Sequence, residues 1–200
     1  MENSYLFTKF KDFLFAHIDI TQEEWNLIES KLTISTYKKN EHILKHEEVC
    51  DKIRFINSGI TRMYYFDENA KEFTCQISTN LENHIIDNFA IDYHSFTTQT
   101  KSMSNIEVLE NAEIVEISFE DVKDLASKTT AFEQLHTKVT QLIHESMRND
   151  LINVNTLSND ERYENFIEKY HFVHKNIPQY IIASFLGITP VALSRLKKRK

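Results

Sequence analysis

From Thr33 to Ser118 the apolar residues come in short β-branched and aromatic runs, whereas from Phe119 onward they recur every three or four residues. A period near two marks half-buried strands and a period near 3.6 marks amphipathic helices, so a β-rich unit comes first and a helical unit follows it. The runs Ile53 to Ile56, Ile60 to Phe66 and Glu72 to Ile77 are separated by Asn, Asp and Gly residues, which predicts consecutive hairpins. A further strand pair is expected where Ile106 and Val108, then Ile114 and Ile117, flank the turn-like Glu110 to Ala112. About eight short strands would close into a roll or barrel of the jelly-roll type, a double-stranded β-helix.

Helices are expected on both sides of the roll. Thr21 with Glu24 three residues on is a capping box that predicts a helix over residues 22–32. Ser118 is placed to cap a short helix, and after it Phe132, Leu135, Val139, Leu142, Ile143, Met147, Leu151 and Val154 predict a second helix of about 25 residues. That is longer than a small domain needs for its own core. The seam fits pairing with a second copy of the chain, and it equally fits a helix packed on its own domain. Ser158 and Glu161 form another capping box, and "KNIPQ" ends that helix and starts the next. The units expected are a roll over residues 1–128, a long dimerisation helix over 129–155 and a helical end over 156–200.

No stretch of ~18 apolar residues occurs, and the N-terminal segment mixes acids and lysines, so a soluble, cytoplasmic protein without a membrane partner is expected. Cys50 and Cys75 make neither a disulfide framework nor a zinc set, and read as reduced packing residues. The net charge of -7 is unevenly spread. Residues 1–168 carry 16 cations against 30 acids, whereas Lys169, Lys175, Arg195, Lys197, Lys198, Arg199 and Lys200 are followed or preceded by no acid from Lys169 onward. An acidic body with a basic end places any polyanion contact at that end, unless the tail is simply solvated.

The basic end is the stretch "QYIIASFLGITPVALSRLKKRK". Ile182, Ala183 and Leu186 fit the buried face of one short helix, and Gly187 supplies a left-handed turn without a Cβ penalty. Thr189 and Pro190 then open a second helix with Leu193 and Leu196 on its inner side. Apolar and small residues at these spacings predict a DNA-binding helix-turn-helix. Thr189, Val191, Ser194, Arg195, Lys197, Lys198, Arg199 and Lys200 are its candidate contacts with double-stranded DNA. Arg195 suits guanine, Val191 a thymine methyl and the lysines phosphates.

The order of a capped helix, a β-roll, a long helix and this helical end resembles the Crp/Fnr family of bacterial transcription regulators. "KKNEHILKHEEVCDKIRFINSGITRMYY" is similar to the family's first roll strands, with Asn40 where a turn glycine is usual and Gly59 in the expected turn. "IASFLGITPVALSR" is similar to its recognition motif. The resemblance spans nearly the whole chain. It implies an α+β fold with a cyclic-nucleotide-binding-like sensor, a homodimer, a palindromic operator and RNA polymerase as a further candidate partner, and no enzyme activity.

Two departures from the family matter. Members that bind cyclic AMP hold the ribose with a Glu and the cyclic phosphate with an Arg, in a cassette that would here be "IDYHSFTTQTKSMS". Ile91, Asp92 and Ser102 then replace the Gly, Glu and Arg, and the degenerate pocket is expected at Ile91, Asp92, Lys101, Ser102 and Met103. Without the bidentate guanidinium, cyclic AMP is not the expected effector, and no cofactor is predicted. At the helical end, Pro190 and Val191 stand where members carry Arg or Glu, and no β-hairpin wing is evident. Two other classes compete: a cupin-like metal enzyme using His42 and His46 with Glu47 or Glu48, and a protein-interaction adaptor.

Overall fold

The computed structural model describes residues 6–81 and 85–198. Five antiparallel strands form one hydrogen-bonded sheet: β1 (Thr33–Tyr37), β2 (His42–Leu44), β3 (Lys52–Phe66), β4 (Glu72–Thr79) and β5 (Asn105–Ser118). The order is β1-β5-β3-β4, with β2 pairing the other half of β5.

The expected hairpins at Gly59 and at Glu110 to Ala112 are not turns. Both lie inside continuous strands of 15 and 14 residues, so the predicted count of eight short strands becomes five among the described residues. The physical reason is that β3 and β5 bend together instead of reversing. Their register slips between Ile56 and Ser58, between Ser58 and Ile60, and between Ile60 and Thr61, the signature of bulges. Gly59 sits at this bend with φ +94, and a Cβ there would come within 2.5 Å of the Asn111 carbonyl oxygen. Only glycine admits so close a crossing. Asn40, where the family uses a turn glycine, takes φ 72, a conformation asparagine tolerates.

An ion cluster centres on the buried Glu116 and Arg54, with Lys52 reaching it from the surface. Glu116 accepts from Lys52 at 2.9 Å, Arg54 at 3.2 Å, and the hydroxyls of Tyr37 and Ser35 at 2.8 Å each. Burial of Glu116 is the largest single influence and opposes ionisation. These donors together with the charge of Arg54 outweigh it and hold the carboxyl below its ordinary range.

Helices α1 (Thr8–His17) and α2 (Gln22–Glu29) cover one side of the roll, with Phe10, Phe13 and Trp25 packed on Phe55 and Phe89. The Thr21–Glu24 capping box forms as expected. The short α3 (Tyr93–Thr98) is capped by Asp92, and α4 (Phe119–Ala126) by Ser118. Helix α5 runs over Ala131–Thr156 for 26 residues. The Ser158–Glu161 capping box opens α6 (Asn159–Lys169), and α7 (Gln179–Phe185) and α8 (Pro190–Lys198) follow. No single helix among the described residues is long and apolar enough to cross a membrane.

The seam expected along α5 divides. Phe132 and Leu135 are buried in the chain's own core and Val139 packs against it, which corrects their assignment to a contact between copies. Leu142 and Ile143 are half-buried, and Met147, Leu151, Ile152 and Val154 are exposed. Only the second half of the helix keeps apolar surface that its own fold does not use.

Candidate nucleic-acid interface and an internal cavity

Helices α7 and α8 are bent 103° from one another. The turn between them is a Schellman motif: the Ile188 N–H donates to the Ala183 carbonyl at 2.9 Å and the Gly187 N–H to that of Ser184 at 3.1 Å. Gly187 adopts φ +65 there. Thr189 then caps α8, its hydroxyl accepting from the Ala192 N–H at 3.1 Å. Ile181, Ile182, Ala183, Leu186, Leu193 and Leu196 are buried in one cluster with Tyr163 and Phe166 of α6.

With that face spent, the other side of α8 is free. Thr189, Val191, Ser194, Arg195, Lys197 and Lys198 are all exposed. Lys197 donates to Gln179 at 3.0 Å. Among the described residues Arg195 and Lys198 make no ion pair. Arg199 and Lys200 lie outside the described residues. The corner thus presents uncompensated cations on one rigid, capped helix.

Contacts that the sequence did not signal fasten this helical end to the roll. The Ser184 hydroxyl donates to the Glu72 carbonyl at 3.0 Å and accepts from the Thr74 N–H at 2.9 Å. It serves the free edge of β4, the last strand of the sheet. Asn176 donates to Glu110 at 2.8 Å. At the end of α6, Lys169 pairs with Asp87 at 2.8 Å, and the Tyr170 hydroxyl donates to the Ile77 carbonyl at 3.2 Å. Tyr170 is fully buried, and that burial, with Asp87 beside it, keeps the phenol protonated far above its ordinary range.

Between the roll, α5 and this end lies a cavity of about 910 Å³. Ile91 and Asp92 line it, as expected of the pocket. The other three predicted pocket residues do not: Met103 is 79% exposed, Lys101 is exposed near Glu47 at 4.0 Å, and Ser102 is buried. Ser102 gives its proton to Asp92 at 2.6 Å, while the other Asp92 oxygen accepts the Ser95 N–H at 3.1 Å. The residues aligned with the family's Glu and Arg are therefore bonded to each other. In their place the cavity gains Phe132, Leu135, Val139, Ile143 and Met147 from α5, and Lys169, Tyr170 and Phe185 from the helical end. Cys75 also lines it, with its thiol pushed up to about 12 by burial. It is thus no thiolate at neutral pH.

The metal reading loses its geometry. Strand β2 ends at Leu44 and the chain turns at Glu47, φ 69, so His42 and His46 do not share a strand face. His42 instead meets the Tyr64 hydroxyl at 2.9 Å. No group of three or more His, Cys, Asp and Glu among the described residues is placed to hold a metal ion.

A bent antiparallel roll, a long helix leaving it and a capped helical corner docked beside it make a Crp/Fnr-like fold. The solved structures bear this out at low sequence identity. The chain is similar to FixK2 from Bradyrhizobium japonicum, with 12% identity, a TM-score of 0.67 and coverage of 84% of this chain and 83% of that one. It is similar to CLP of Xanthomonas campestris, described as a c-di-GMP-responsive global regulator, with 10% identity, a TM-score of 0.66 and coverage of 90% and 91%. It also matches the catabolite activator protein of Thermus thermophilus, with 15% identity, a TM-score of 0.54 and coverage of 93% and 85%. No protein-family model and no curated protein matches the sequence.

Proposed function

We propose that the protein is a DNA-binding transcription regulator of the Crp/Fnr type, acting as a homodimer on a palindromic operator without cyclic AMP. The observation that carries this reading is the capped α7–α8 corner, whose apolar side is spent on the core and whose other side offers Arg195 and Lys198 without an ion pair among the described residues. In this reading α8 enters the major groove, Arg195 reads guanine, Val191 meets a thymine methyl, and Thr189, Ser194, Lys197 and Lys198 position the helix on phosphates. Arg199 and Lys200 extend the same charge. The exposed apolar half of α5 pairs with its copy, which sets two recognition helices on a twofold axis. Independence from cyclic AMP is supported by Asp92, whose oxygens are engaged by Ser95 and Ser102, and by a cavity wall that holds no arginine among the described residues.

Selection of bound sequences from random duplex DNA, with and without cyclic AMP, tests the reading. A two-half-site motif enriched equally under both conditions is expected. A pool without enrichment at low salt overturns the DNA-binding function, and enrichment that requires cyclic AMP overturns the independence.

A further inference from the structure

The wall of the 910 Å³ cavity carries Asp87, Asp92, Glu133 and Asp150 against one lysine, Lys169, with His94 and His136 beside them. Asp92 is spent on Ser95 and Ser102, and Asp87 on Lys169. Asp150 lines the cavity but is exposed to solvent, and it makes no ion pair among the described residues. Its carboxyl is pushed up by partial desolvation and by Asp87, with Lys169 and a hydrogen bond from the Ser146 hydroxyl opposing. The rest of the wall is mostly apolar and aromatic, including Phe89, Phe132, Val139, Ile143 and Phe185, with Gln76, Thr97, Thr137 and Ser146 among them. One ammonium is already housed at the acidic end: Lys169 lies 2.8 Å from Asp87 and 5.1 Å from the centre of the Tyr170 ring. A carboxylate and an aromatic face together suit a desolvated cation.

We propose that this cavity binds an apolar, ring-sized molecule bearing a positively charged amine, with the rings among the α5 and Phe89 side chains and the ammonium at Asp150. The proposal deepens the regulator reading by naming the class of effector, because the same cavity is walled by Tyr170 and Phe185 of the helical end. Apolar contact supplies affinity, and the excess of carboxylates supplies the choice of sign. An anion of the same shape would face four carboxylates and one lysine.

The test is calorimetry on the full chain, without DNA, using three probes of one shape: 2-naphthylmethylamine, 2-naphthalenemethanol and 2-naphthoate. The amine is expected to bind about tenfold more tightly than the alcohol, with the carboxylate weakest. Asp150→Asn should remove the amine's advantage and leave the alcohol unchanged. The ranking in the parent protein needs no variant, so a misfolded Asp150→Asn leaves the test standing. Binding of none of the three, or a preference for the carboxylate, overturns the proposal. The absence of DNA from the cell keeps this outcome separate from any failure of the operator selection.

Discussion

The chain contains two glycines, and both have positive φ, yet their replacement by alanine should differ sharply in cost. At Gly187 a Cβ meets nothing within 4 Å, so only the left-handed backbone is penalised, by about 1 to 2 kcal/mol. At Gly59 the same kind of penalty is joined by contacts of 2.5 Å to the Asn111 oxygen and 2.6 Å to the Ala112 Cα. Both are backbone atoms of β5, tied to β3 on either side through Ser58 with Glu113 and Ile60 with Glu110. Neither strand can withdraw without breaking ladder bonds, so overpacking adds about 1 to 3 kcal/mol and each lost bond about 1 more. Gly59→Ala should therefore cost about 3 to 5 kcal/mol, a large part of a typical domain's stability. Urea unfolding of both variants, followed by far-UV circular dichroism, gives the comparison. Losses that agree within about 1 kcal/mol would refute the claim that strand crossing, rather than backbone conformation, fixes Gly59.

Other expected outcomes test the remaining parts. Leu151 is 68% exposed, so Leu151→Glu should leave the fold intact and turn a dimer into a monomer in sedimentation; a dimer that persists counts against pairing through the end of α5. Arg195→Ala should cost about 1 to 3 kcal/mol on the selected operator and little on random duplex, whereas Lys198→Ala should weaken both alike. Equal losses for Arg195→Ala on the two duplexes would reassign it to phosphates. Glu116→Gln strands the buried Arg54 without its main counter-charge, and should cost about 3 to 5 kcal/mol at neutral pH. Because the Glu116 carboxyl is held below its ordinary range, its contribution is present above the unfolded value and is lost as pH falls through the depressed folded one. The gap between parent and variant in urea midpoints should accordingly close in acid, and a gap independent of pH would exclude the charge as its cause.

What could be read beforehand was local chemistry. The capping boxes at Thr21 and Ser158 and the caps at Ser118 and Thr189 each need only a few adjacent residues, and all four form. Helix α1 escaped notice because Phe7 provides no side-chain cap, and α3 because its capping Asp92 sits in a stretch read only for its cassette. Strand continuity through Gly59 was illegible since a glycine flanked by β-branched runs marks a turn or a crossing equally well, and the partner that decides it lies about 50 residues on. The cavity wall was legible at Ile91 and Asp92 alone. Lys169, Tyr170 and Phe185 enter it from another part of the chain, by docking that Ser184 and Asn176 secure through backbone and side-chain partners at long range.

That docking bears on how the cavity could act on α8. From the roll, Ile60, Ile77, Leu81 and Leu109 join the apolar cluster of the helical end. The polar part of the seam comprises two bonds at Ser184, one at Asn176, the Tyr170 hydroxyl shared between the Ile77 carbonyl and Asp87, and the Lys169–Asp87 pair. At about 0.5 to 1.5 kcal/mol net for each hydrogen bond, the polar part amounts to a few kcal/mol. A ligand present at 100 times its Kd contributes about 2.7 kcal/mol to the state that binds it. Burial of Ile60, Ile77, Leu81 and Leu109 adds about 1.5 to 3 kcal/mol for each side chain, so the ligand's share is smaller than the whole seam and adds to the docked arrangement whose walls it touches. The acidic, half-apolar cavity thus touches the helical end at Lys169, Tyr170 and Phe185, so a molecule bound there would contact both the roll and the unit that carries α8.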